Sequence, residues 1–141
     1  MATAYLSRTV QFSAAHRYFR PEWSEAKNAE VFGRCANPNG HGHTYQCTVT
    51  VRGRVDAQTG MAVDLAVLDR ILADEVVARL DHRHLNLDLP EFAYGRKVPT
   101  GEELCLDIWQ RVTGRLPAGC ALDSVRVQEE PALFAEYRGE A

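Results

Sequence analysis

Residues 34–46, RCANPNGHGHTYQ, hold one cysteine and two of the five histidines of the chain. His41 and His43 are two positions apart. On a strand or its extended lead-in, that spacing puts both imidazoles on one face, close enough to share a cation. Gly40 and Gly42 let the backbone approach a bound ion or ligand closely. His16 closes an apolar first segment that an antiparallel sheet can bring alongside. Three imidazoles with no further obvious ligand form the donor set of a catalytic zinc ion, leaving a fourth position for water or substrate. The HxH spacing also arises by chance, and a strand-end histidine is ordinary, so spacing alone leaves both readings open.

Three other groups can carry chemistry. Cys35 lies in a polar loop beside Arg34. A thiol near a cation, an arginine and an imidazole can have its pKa depressed toward neutrality; the alternative is a passive loop thiol. In LDHRHLN (80–86), Asp81 precedes His82 at the end of a helical pattern. A carboxylate there can fix the imidazole tautomer and form a proton relay, although a histidine near the last carbonyls of a helix also serves as a cap. His84 reads as structural or solvated. On the last strand Glu129 continues the side of Val125 and Val127. Unless it ends in solvent, that carboxylate needs a partner, and an NH/NH₂ edge on a substrate matches its two oxygens.

These side chains need a scaffold, and 141 residues suffice for one domain, read as 1–141. Apolar content of 45% and charged content of 25% are typical of a globular protein. A net charge of −3 with interspersed signs argues against nucleic-acid binding. No apolar run is long enough to span a membrane. The N-terminal segment lacks the basic head and apolar block of a secretory signal, and the four cysteines form no CxxC pair. Reduced thiols in the cytoplasm are the expectation.

Residues 4–16 read as a strand, 17–40 as a long loop, and 43–55 as a strand with Tyr45, Cys47, Val49 and Val51 on one face. A turn at 56–60 leads to a short strand, MAVDL, completing a hairpin. Leu65, Leu68, Leu72, Val76 and Leu80 then make a helical stripe with Asp64 as N-cap. A second helix starts at PTGEEL (99–104), where Thr100 and Glu103 have capping-box spacing, and ends at LPAGC. The last segment is a strand interrupted at Pro131. Two helices on one face of an antiparallel sheet give an α+β domain.

Taken in order, FSAAHRY, CANPNGHGHTY, LDHRHLN, PTGEEL and a glutamate followed eight residues later by YRGE resemble the 6-pyruvoyl-tetrahydropterin synthase family. That family includes the 6-carboxytetrahydropterin synthases of deazapurine and queuosine synthesis. The resemblance is collinear from about residue 5 to the C-terminus. It implies the tunnelling fold, a four-stranded antiparallel sheet backed by two helices. Subunits join their sheets into a trimeric barrel, and two trimers stack as a homohexamer with sites between subunits. It implies zinc on His16, His41 and His43, catalysis by Cys35 with the Asp81–His82 pair, and Glu129 as the anchor of the pterin ring. The glutamate is usually followed by threonine, and here Glu130 stands instead.

The substrate implied is 7,8-dihydroneopterin triphosphate, with triphosphate lost. The loop CxNPNGHGH is similar to the pyruvoyl-forming type, which keeps the three-carbon side chain. The carboxy-forming type releases acetaldehyde. Arg17, Arg83, Arg96 and Lys97 are candidates for the triphosphate. A non-catalytic zinc or pterin-binding module is a further alternative. A zinc hydrolase would want a carboxylate base of the HExxH kind, which is not visible.

Overall fold

The computed structural model describes residues 2–140. Two strands, β1 (Thr3–His16) and β2 (His41–Arg54), pair antiparallel along their whole lengths, from Thr3 opposite Arg54 to His16 opposite His41. The segment between them is not all loop. Helix α1 (Glu25–Phe32), capped by the Ser24 side chain, and a 3₁₀ turn at Gly33–Ala36 occupy it. Its weak amphipathic pattern explains why the sequence did not reveal it: only Asn28 is buried there, and its side chain ties back to the backbone of Arg20 and Ser24.

After β2 the chain forms α2 (Leu65–Leu72), a π-helical turn at Ala73–Val77 and α3 (Ala78–Leu80), which together make the expected helix from Asp64 to Leu80. Asp64 caps it by accepting from the amides of Ala66 and Val67. A two-residue strand, β3 (Arg83–His84), a short helix α4 (Leu85–Asp88) and helix α5 (Gly101–Thr113) follow. Strands β4 (Cys120–Glu130) and β5 (Leu133–Tyr137) form the closing hairpin across Pro131.

The sheet order is β3-β1-β2-β4-β5. Its four long members are antiparallel, as expected, but β3 adds a fifth strand parallel to β1 at Ala14 and Ala15, so the sheet is mixed. The expected short strand MAVDL does not form. Both edges of β2 are taken, by β1 and by β4, and residues 61–64 instead bend into the cap of α2. The capping box at Thr100 is half made: its hydroxyl accepts from the Glu103 amide, but the Glu103 carboxylate does not return to the Thr100 amide, which donates to Val98.

One face of the sheet carries Phe12, Tyr45, Cys47, Val49, Val51, Val125 and Val127, packed on Leu68, Leu72, Val76, Leu104, Ile108 and Val112 from the helices. The other face is polar, with hydroxyl pairs Ser7–Thr50 and Thr9–Thr48 at 2.7 Å. Strict alternation therefore sends every second residue of β1 and β2 toward the helices, and the histidines follow that rule. Replacing the wholly buried Ile108 by alanine is expected to cost about 2–5 kcal/mol in denaturant unfolding. A loss below 0.5 kcal/mol would mean that α5 is not held by this core.

Candidate active site

The β1–β2 register places His16 directly opposite His41, and Ala14 opposite His43. All three imidazoles consequently emerge on the helix-facing side at one end of the sheet. Their ligand atoms lie within 4.8 Å of one another, and His16 Nε2 is 3.2 Å from His41 Nε2. His16 is fully buried. Burial first, then the neighbouring His41, His43 and His84, lowers its pKa to about 3, so it is neutral with a free lone pair at pH 7. Burial, followed by His43, also lowers His41. Three imidazoles converging without a lysine or arginine among them are a donor set that fits a divalent cation.

Tyr45, read from sequence only as a core-facing residue, supports this set. Its hydroxyl lies 2.6 Å from His16 Nδ1, and its ring stacks on Phe12 at 4.7 Å. The tautomer with hydrogen on Nδ1, donated to the tyrosine oxygen, leaves the Nε2 lone pair facing His41. Gly40, at φ 69, completes the approach: a Cβ there would lie 2.6 Å from the His16 carbonyl oxygen. No other residue type fits that turn.

Glu129 does have the partner that its facing demands. Its Oε1 accepts from the Tyr18 hydroxyl at 2.8 Å, and its Oε2 is 3.9 Å from His43 Nε2. A cavity of about 480 Å³ opens beside it, lined by Tyr18, Cys35, Thr100, Gly101, Glu129 and Ala135 among others. Cys35 reaches this cavity because the 3₁₀ turn after α1 is tied to the end of β1: the Tyr18 amide donates to the Cys35 carbonyl at 2.7 Å. Metal-type imidazoles, a thiol and a carboxylate are thus brought together. Burial and the Glu129 charge push the Cys35 pKa up, against a smaller opposing effect of Arg34. All four cysteines are free thiols.

Asp81 and His82 form a pair but stand apart from Cys35. Asp81 Oδ1 accepts from the Ser13 amide at 2.8 Å, and Oδ2 lies 3.1 Å from His82 Nδ1. The Ser13 amide is the main cause holding the Asp81 carboxyl below its usual range. His82 has a φ of 60, unusual for a non-glycine residue, and its side chain is 83% exposed. It lines a shallow surface recess with Ser13, Gly42, Thr44, Arg83 and His84, not the cavity of Cys35. Of the basic candidates, Arg17 is committed to the Ala36 carbonyl and stacks over Phe19 at 3.8 Å. Tyr18 and Tyr45 are the site residues that pattern reading missed. The period of two running on from His16 to Tyr18 was the one signal available for the first.

No helix among the described residues is long and apolar enough to cross a membrane. Comparison with known proteins bears directly on this site. Residues 5–140 match the family model described as 6-pyruvoyl tetrahydropterin synthase. The chain is 40% identical over 137 residues to the 6-pyruvoyl tetrahydrobiopterin synthase of Homo sapiens, covering 97% of this chain and 92% of that one. It is 30% identical over 120 residues to a dihydroneopterin monophosphate aldolase of Pyrococcus furiosus, covering 85% and 84%. The structure of Caenorhabditis elegans 6-pyruvoyl tetrahydropterin synthase superimposes with a TM-score of 0.91 at 35% identity, covering 99% of this chain and 98% of that one. On matches that run nearly end to end through all the residues described above, the chain belongs to the 6-pyruvoyl tetrahydropterin synthase family.

Proposed function

We propose that the protein is a zinc-dependent lyase that converts 7,8-dihydroneopterin triphosphate to 6-pyruvoyl-tetrahydropterin with loss of triphosphate. The observation that carries this reading is the Glu129 carboxylate, 3.9 Å from His43 of the imidazole cluster and lining a cavity that Cys35 also lines. His16, His41 and His43 would hold the zinc ion, which when bound supplies Lewis acidity toward side-chain oxygens of the substrate. Glu129 accepts from the 2-amino group and ring NH of the pterin. Two carboxylate oxygens offer about four lone-pair directions, so the Tyr18 hydroxyl leaves enough for that pair.

Cys35, as thiolate, removes a proton from the substrate side chain. Its own surroundings oppose ionisation, and a cation held by His16, His41 and His43 would act in the opposite direction. His82, oriented by Asp81, moves a proton on the opposite side. Electrons pass from side chain to ring, which needs no outside reductant. Because His82 lines a different recess from Cys35, the two groups meet across a subunit boundary, in a homohexamer built as two stacked trimers. The location is cytoplasmic, consistent with free thiols.

Incubation of the purified protein with 7,8-dihydroneopterin triphosphate tests the reading by product mass. A product retaining all three side-chain carbons, with triphosphate released, is expected. Acetaldehyde release would instead assign the carboxy-forming reaction, and no triphosphate release would reject both.

Tyr45→Phe is expected to weaken zinc binding by about 10–100-fold in competition with a chromophoric chelator, because the imidazole of His16 loses its outer partner. The Phe12 stack stays, so melting behaviour should change little. Unaltered zinc affinity would remove Tyr45 from that role.

A further inference from the structure

Glu129 sits where it can serve two masters. Its side chain is 11% exposed, and its Oε2 lies 3.9 Å from His43 Nε2, just outside hydrogen-bond range. The terminal torsion of a glutamate is broad and soft, so nothing within the side chain itself keeps the carboxylate from closing that gap. A carboxylate joining three imidazoles would complete four protein donors, the closed arrangement of a structural metal site, whereas a catalytic site needs an open position. The same motion would withdraw the carboxylate from the cavity that it shares with Cys35.

One side chain opposes this motion. The Tyr18 hydroxyl donates to Glu129 Oε1 at 2.8 Å, on the carboxylate oxygen away from His43. Tyr18 is itself rigidly held. Its amide donates to the Cys35 carbonyl at 2.7 Å, and its ring packs against His16 at 4.6 Å and edge-on to Phe32 at 5.9 Å. A clamped ring whose hydroxyl donates to the carboxylate is a suitable tether for it.

The geometry points to Tyr18 as a positioning residue that holds Glu129 aimed into the cavity and off the three-imidazole cluster, keeping one carboxylate from acting as a fourth ligand. The proposal rests on the zinc and pterin reading for what the two sites bind, while the tether itself rests on the hydrogen bond from Tyr18 to Glu129.

Tyr18→Phe removes only the hydroxyl and keeps the ring contacts, which makes it the informative variant. Three readouts follow, none of them turnover. The Kd for an oxidised, unreactive pterin, followed by fluorescence quenching, is expected to rise about tenfold, the loss of one hydrogen bond to a charged group. Zinc affinity, by chelator competition, should rise severalfold in Tyr18→Phe and return to the parent value in Tyr18→Phe/Glu129→Gln. A ligand-free crystal structure of Tyr18→Phe should show the carboxylate displaced toward His43. Parent-like zinc affinity with an unmoved carboxylate would overturn the proposal, whatever happens to pterin binding. If the parent protein binds zinc but no pterin, the functional reading fails, and the zinc and crystallographic readouts still judge Tyr18.

Discussion

Cys35→Ala is expected to lower turnover of 7,8-dihydroneopterin triphosphate by about 10²–10⁴-fold, the range associated with loss of a positioned acid–base group. Zinc content and pterin affinity should stay near the parent values. The reason is spatial. Cys35 lines the cavity through its side chain, while its contribution to the fold is a carbonyl that accepts from the Tyr18 amide, which alanine retains. The thiol is only half-buried, so truncating it leaves no large void. Steady-state kinetics with metal analysis on the same sample checks this. Turnover within threefold of the parent would take the proton-removing role away from Cys35.

The second large effect concerns the metal. His41→Ala should weaken zinc binding by well over the 10–100-fold that loss of a supporting hydrogen bond typically costs, because a direct ligand goes. Turnover should fall with zinc occupancy. His41 is the better probe than His16. It is only half-buried at the start of β2, whereas His16 is wholly enclosed against Tyr45 and Tyr18, so its removal would confound metal loss with a cavity in the core. Metal-free His41→Ala should therefore unfold near the denaturant midpoint of the metal-free parent. Full zinc occupancy in this variant would mean that the imidazole cluster is not the metal site.

The parts of this site that could be read from sequence are those governed by simple periods. Alternation in β2 put Tyr45, Cys47, Val49 and Val51 inside, and the same alternation carried His41 and His43 to that face. Pairing of β1 with β2 then needed only the right register to add His16, and the register is the one that aligns the two strands end to end. Helix stripes and the caps at Asp64 and Thr100 were legible for the same reason. Glu129 was legible as a carboxylate in want of a partner, but not which partner.

What escaped reading has physical causes too. A strand of two residues, Arg83–His84, has no period to detect; it exists because the chain leaving α3 lies beside β1. MAVDL has strand-like composition, yet a strand also needs a free edge, and β2 has none to give. Helix α1 buries too little apolar surface to show a stripe. The direction of the Cys35 shift depends on burial and on Glu129, 94 positions away in the chain (129 − 35), and no local motif encodes either.

X-ray absorption at the zinc edge of the purified holoprotein tests the shared claim most directly. Three imidazole nitrogens at about 2.0–2.1 Å and one exchangeable oxygen, with no sulfur scatterer, is the coordination that this account requires. A sulfur at about 2.3 Å, which would tie up the thiol of Cys35, or a fourth donor from the protein that added ligand cannot displace, would contradict it.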